Sequence, residues 1–227
     1  MNLLITLGDS WTYGSGCYPQ EILDKLSKRK ISKEDAYDQS ISSFTKNCWP
    51  QQLANILNYD LINFGYGGDS SSGQVKNLFD NISDDLCKDY KNVFVLFLLT
   101  DGARPSFYVD GKIRSYHQNE KLYQVINKLS KRDVNDTILE NNFYIKCVEK
   151  FCKSNGYHFL FANSWNIQNS LINHKSNIHY YLDKDVLVDY IPSDLFSFCG
   201  HPNTEGYTII AKKFQEVIKS NYIGKTK

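Results

Sequence analysis

Leu3-Leu4-Ile5-Thr6-Leu7-Gly8-Asp9-Ser10-Trp11 carries an apolar run straight into a tight Gly-Asp-Ser turn. The run reads as a buried strand, and near the other end of the chain His201-Pro202-Asn203 opens a helix. A serine and a histidine so placed suggest a nucleophile and its base. A serine hydroxyl is a poor nucleophile unless a base lies within hydrogen-bond reach and donors face the developing oxyanion.

Working outward, further apolar runs alternate with amphipathic ones, the pattern of a parallel sheet covered by helices. The expected strands are Leu3–Leu7, Asp60–Asn63, Asn92–Leu99, His158–Ala162 and Val186–Ile191, which make a mostly parallel five-stranded sheet. Between them, Trp49–Leu57 has helical spacing with Pro50 near its start, where a helix tolerates proline. Gly73–Leu86, Thr137–Ser154 and Thr204–Ser220 read as further helices. Cys17–Asn47, rich in Lys, Ser and Asp, and Gly102–Asn135, which mixes aromatic and charged residues, exceed what such a sheet needs. Both read as insertions beside the strand ends within one domain spanning 1–227, serving either as binding loops or as solvated decoration.

The 227 residues carry a net charge of +1 and 41 % hydrophobic residues, enough for one sizeable core. The near-neutral, interleaved charge gives no electrostatic case for nucleic acid or an anionic membrane as partner. No signal-peptide pattern precedes Leu3, so a cytoplasmic location is expected. The longest apolar run, Val93–Leu99, is far short of the roughly 18 residues of a membrane helix. The six cysteines are scattered without zinc-type pairing and read mostly as buried thiols. His174 and His179 lack the spacing that aligns two metal ligands on a helix face, so no metal is expected. A monomer or weak homo-oligomer is the default.

Open parallel sheets bind ligands outside the carboxyl ends of their strands, and the polar motifs fall there. Ser10 follows the first strand. Asn63-Phe64-Gly65-Tyr66-Gly67-Gly68-Asp69-Ser70 follows the second, its glycines permitting positive φ and N–H groups aimed at a ligand. Thr100-Asp101-Gly102-Ala103-Arg104 follows the third, and His201 precedes the last helix. Each also has a purely structural reading: turn chemistry at Gly8–Ser10 and in the glycine loop, and N-capping by Asn203 or Thr204 with Glu205 in the first turn. Their conjunction favours a site.

These blocks resemble the SGNH hydrolases, or GDSL-type esterases and lipases, from Asn2 to about Ile218. Gly8-Asp9-Ser10 is similar to the family's nucleophile block, Gly68 to its oxyanion glycine, and His201-Pro202-Asn203-Thr204-Glu205-Gly206-Tyr207 to its histidine block. Trp49-Pro50 with Leu53, Ala54 and Leu57 resembles the helix leading to the second strand. The resemblance implies a flavodoxin-like three-layer α/β/α sandwich and metal-free hydrolysis of an ester, thioester or O-acetyl group. Neither Gly-x-Ser-x-Gly after a central strand nor Gly-x-Gly-x-x-Gly after the first strand is present, which disfavours α/β-hydrolase and dinucleotide-binding readings.

Two positions depart from the family. Thr100-Asp101 stands where the third block carries Asn followed by Asp, replacing an amide donor with a shorter hydroxyl. Loss of one oxyanion donor typically costs about 10²–10³ in turnover. Phe198 stands three residues before His201, where the family has Asp. Disabling that acid in the serine-protease template costs roughly 10⁴. Three arrangements stay open: Asp194 swings in from seven residues upstream, a backbone carbonyl orients the ring of a Ser10–His201 dyad, or the fold serves binding without efficient chemistry.

The expected reaction has His201 deprotonate Ser10, with Gly68, the Ser10 N–H and Thr100 as oxyanion donors and no cofactor. Arg104 either holds an anionic or sugar hydroxyl group of the substrate or pairs with Asp101 or Asp69. The expected substrate is a small-molecule or carbohydrate ester. The alternatives are acyl transfer to a sugar acceptor and a noncatalytic binding or structural protein.

Overall fold

The structure, a computed structural model, describes residues 1–99, 106–109, 112–115, 134–163 and 187–223. Strand β1 (Asn2–Leu7) is followed by helices α1 (Ser10–Tyr13), α2 (Gln20–Ser27), α3 (Lys33–Asn47) and α4 (Trp49–Leu57). Then come β2 (Asp60–Asn63), α5 (Ser71–Asn81), α6 (Asp84–Cys87), β3 (Asn92–Leu99) and the strands β4 (Ser106–Val109) and β5 (Lys112–Ser115). Helix α7 (Val134–Ser154), β6 (His158–Asn163) and α8 (Thr204–Ile218) complete the framework.

The main sheet is parallel, in the order β2-β1-β3-β6. Ile5 sits between Ile62 of β2 and Val95 of β3. Because side chains alternate across a strand, the continuous apolar run of β3 feeds two cores at once. Phe94, Leu96 and Leu98 face α4 and α8, packing with Trp49, Leu53, Tyr207 and Phe214. Val93, Val95, Phe97 and Leu99 face α5 and α7, packing with Val75, Leu78, Ile145 and Val148. The result is a three-layer α/β/α sandwich, as expected. From β1 the chain moves first to one neighbour, β2, and later to the other, β3, so the topological switch point lies at the carboxyl end of β1.

The expected fifth strand at Val186–Ile191 is not one: Leu187–Tyr190 forms a 3₁₀ helix, and the sheet has four strands among the described residues. Leu187 and Ile191 both enter the core while Asp189, which a strand would place on their face, is exposed, and Pro192 has no N–H to offer a ladder. The single helix expected at Gly73–Leu86 is divided into α5 and α6. Ile82 and Ser83 are extended, and the Ser83 side chain accepts from the Leu86 N–H to start the second helix.

Of the two expected insertions, Cys17–Asn47 folds into α2 and α3. Ser32 and Asp35 form a capping box that opens α3, and Ala36, Ser40 and Phe44 repeat every four residues on its buried face. Gly102–Asn135 contributes the antiparallel hairpin of β4 and β5 and the start of α7, and its remainder lies outside the described residues. Among the described residues no helix is long and apolar enough to cross a membrane.

Candidate active site

Strand β1 delivers its carboxyl end into Gly8-Asp9. The Asp9 carboxylate accepts the Trp11 N–H at 2.9 Å and caps the single turn α1, placing Ser10 as its first residue, almost fully buried. A Cβ on Gly8 would collide with the Thr12 side chain, so only glycine lets the strand turn this tightly into the helix.

His201 stands on a small hairpin closed by a bridge between Phe196 and Pro202. The Ser197 N–H donates to the His201 carbonyl at 2.8 Å, and the Gly200 N–H donates to the Ser197 carbonyl at 2.9 Å. Gly200 takes φ +77°, the left-handed conformation such a turn requires. Two residues on, the Asn203 side chain accepts the Gly206 N–H at 3.0 Å and starts α8. Capping and site formation therefore use neighbouring residues of one segment.

Across a sequence separation of 191 residues, His201 Nε2 lies 2.8 Å from Ser10 Oγ. On its other side, His201 Nδ1 lies 3.2 Å from the Cys199 carbonyl. Donation of Nδ1–H to that carbonyl leaves Nε2 to accept the Ser10 hydroxyl proton, the tautomer a general base needs.

Asp194 lies in an exposed 3₁₀ turn, Ser193–Leu195, and the structure does not bring it to His201. Phe198, at the position of the family's acid, turns to the inserted helices: its ring centroid lies 4.7 Å from that of Tyr18, with Lys33 Nζ 5.9 Å away over its face. Thr100, Asp101 and Arg104 lie outside the described residues, as do His174 and His179.

The turn after α1 holds the histidine hairpin in place, a role not evident from sequence. The Ser197 hydroxyl donates to the Gly16 carbonyl at 2.6 Å, and the buried Tyr207 hydroxyl donates to the Ser15 carbonyl at 2.8 Å. Gly16, at φ +114°, lies so close that a Cβ there would be 3.0 Å from His201 Cβ and closer still to the Pro202 carbonyl. The only signal for this was Gly14-Ser15-Gly16 itself, directly after the nucleophile turn.

The glycine loop is tied to the same place. Asn63 Oδ1 accepts from Thr6 Oγ1 at 2.9 Å and from the Gly65 N–H at 2.8 Å, while its Nδ2 donates to the Thr12 carbonyl at 3.2 Å. A Cβ on Gly65 would sit 2.6 Å from the backbone of Thr12 and Tyr13, so the loop runs directly against α1. Gly68 has φ +79° and open space where a Cβ would lie. At the end of β6, in register with Leu99, Asn163 carries a buried side-chain carbonyl with no hydrogen-bond partner among the described residues.

Among the described residues no group of three His, Cys, Asp or Glu is arranged to hold a metal ion. All six cysteines are free, and burial pushes the thiols of Cys17 and Cys152 up to about 12 and that of Cys48 up to about 11.

The family model of the GDSL-like Lipase/Acylhydrolase matches residues 4–214. The chain belongs to this family. Three solved structures share the fold. One is an acetyl xylan esterase (Est2A) from Butyrivibrio proteoclasticus, 14 % identical, TM-score 0.52, covering 100 % of this chain and 64 % of that one. A second is a carbohydrate esterase whose active site is described as displaying divergent catalytic and non-catalytic binding functions, 13 % identical, TM-score 0.55, covering 97 % and 65 %. A third, from Corynascus thermopiles (Myceliophthora fergusii), is a carbohydrate esterase family 2 enzyme plus carbohydrate binding domain, 13 % identical, TM-score 0.51, covering 96 % and 65 %. The GDSL-family chain spans just under two thirds of the length of each, and at such identities the likeness is one of fold. No match was found among curated proteins.

Proposed function

We propose that this GDSL-family protein is a serine esterase acting through an acyl-enzyme on Ser10, with a carbohydrate O-acetyl ester as its substrate class. The observation that carries the reading is the 2.8 Å contact between Ser10 Oγ and His201 Nε2, with Nδ1 of the same ring facing the Cys199 carbonyl. As Oγ attacks the ester carbonyl, Nε2 takes its proton, and the N–H groups of Ser10 and Gly68 receive the oxyanion. The intermediate collapses, the C–O bond to the alcohol breaks, and His201 returns the proton to the departing alkoxide. Water activated by the same imidazole then attacks the acyl-enzyme, releasing the carboxylic acid and restoring Ser10.

In this mechanism the Cys199 carbonyl takes over the tautomer-setting part of the absent acid's role. A neutral dipole stabilises the imidazolium less than a carboxylate does, so the penalty is one of charge and not of geometry. Thr100 is assigned as a third oxyanion donor, and Asp101 and Arg104 to the substrate side. The carbohydrate assignment draws its support from the named esterases of similar fold.

The test is release of acetate and p-nitrophenol from p-nitrophenyl acetate, together with labelling by a fluorophosphonate, in wild type, Ser10→Ala and His201→Ala. Turnover and labelling that disappear in both variants support the mechanism. Phe198 in the acid's place favours a second reading, a noncatalytic binding protein; no labelling and no turnover above the Ser10→Ala background would select it. Acyl product formed only when a sugar acceptor is added would instead select acyl transfer.

A further inference from the structure

Tyr66 is an exposed aromatic side chain, with 67 % of its surface open to solvent. It stands between Gly65, which is pressed against α1, and the Gly67-Gly68 pair. Its ring centroid lies 6.3 Å from that of Tyr13, with the planes tilted at 57°. Tyr13 closes the one-turn helix that Ser10 opens, and residues three apart on a helix are neighbours on its surface. A third tyrosine reaches the same point from the insertion: Tyr37 Oη lies 3.2 Å from where a Cβ on Gly67 would be.

The rings of Tyr13 and Tyr37 both rest on buried Phe44, at centroid distances of 6.2 and 5.1 Å. Their hydroxyls, and that of Tyr66, take part in no hydrogen bond among the described residues. Burial, with the neighbouring hydroxyls of Tyr37 and Tyr66, holds the Tyr13 phenol above its ordinary value, which keeps it a neutral donor and acceptor. An exposed aromatic face with unspent hydroxyls beside it, next to the nucleophile, is a polar and apolar mixture that a water-facing loop does not otherwise need. A pyranose ring presents the matching surface: a face of C–H groups and a rim of hydroxyls.

From this juxtaposition we infer that Tyr66, Tyr13 and Tyr37 form the subsite for the sugar ring of an acylated carbohydrate, Tyr66 stacking on the ring and the phenols hydrogen-bonding its hydroxyls. The inference rests on the ester reading of the same site and names which side chains select the alcohol part of the substrate. It also gives the inserted helix α3 a task, since Tyr37 comes from it.

Calorimetric titration with partially acetylated xylotetraose, in a Ser10→Ala background that cannot turn it over, tests the subsite without relying on catalysis. Saturable binding is expected, weakened about tenfold by Tyr66→Ala and severalfold by Tyr37→Phe, and largely kept in Tyr66→Phe, which retains the ring. Phe79→Ala, at an exposed aromatic on α5 away from this cluster, is the control for general loss of apolar surface and leaves the affinity unchanged. The inference is overturned if the sugar does not bind, if Tyr66→Ala leaves its affinity unchanged, or if Phe79→Ala weakens it equally. Tyr66-dependent sugar binding by a wild type that releases no acetate would keep the subsite and remove the hydrolytic reading; acetate release with Tyr66-independent binding would do the reverse.

Discussion

Phe198 determines how the site does without the family's acid. Its ring is committed to Tyr18 and Lys33 on the inserted segment, while the backbone one residue later supplies the carbonyl facing His201. Phe198→Asp is therefore expected to leave kcat unimproved, because a carboxylate there meets the Lys33 ammonium in place of the imidazole. A rise in kcat of tenfold or more toward p-nitrophenyl acetate would sink this account. For the same reason Asp194→Ala is expected to hold kcat/KM within about twofold of wild type, the range of an exposed surface substitution. At this scale the sequence was informative about Ser10 and His201, since strand-turn-serine and His-Pro-Asn are local patterns. It left open what orients the ring, because a carbonyl is carried by every residue and only folding decides which one faces Nδ1.

The turn Gly14–Gly16 and helix α8 act together as elements. One hydroxyl from the histidine hairpin and one from α8 hold that turn against the hairpin, and Gly16 leaves no space for a side chain between them. Gly16→Ala is expected to lose about 1–3 kcal/mol of stability, from positive φ and steric displacement of Pro202 and His201, with a fall in kcat larger than any change in KM. Thermal melts read beside steady-state kinetics check both parts. Tyr207→Phe, which leaves the buried Ser15 carbonyl unpaired, is expected to cost about 1–3 kcal/mol by urea denaturation. The elements themselves were legible where one periodicity held over many residues, as in β3 and α4. They were misread where a short apolar run suits two periods: Val186–Ile191 is apolar enough for a strand, yet Leu187 and Ile191 enter the core while Asp189 between them is exposed. The helices of Cys17–Asn47 were obscured by their polar composition, although the Ser32–Asp35 cap was there to be read.

For the whole molecule, stability should have a plateau bounded on both sides by buried titratable groups. Burial among Phe94 and Tyr222 lowers the pKa of His158 beneath its ordinary 6.5, so as the pH falls below 6.5 the unfolded chain binds a proton that the folded chain resists. Stability then drops toward acid, and His158→Phe is expected to flatten that limb. On the other side, the unfolded thiols of Cys17, Cys48 and Cys152 ionise near 9.0 while their folded values stand at about 12, 11 and 12, so stability falls as the pH rises above 9.0. Urea midpoints measured across this range check both limbs. The layered architecture was readable because buried parallel strands leave near-continuous apolar runs, whereas the strand count depended on tertiary packing around one ambiguous segment. The distance in sequence between Ser10 and His201 has a further consequence for the chain as it is being made. A ribosome-bound chain that has not reached residue 201 can already assemble β1, β2 and β3, but its serine has no imidazole beside it. The hydroxyl thus gains its partner only after residue 201 has been made, so under the proposed mechanism a shorter nascent chain does not meet esters with an armed nucleophile.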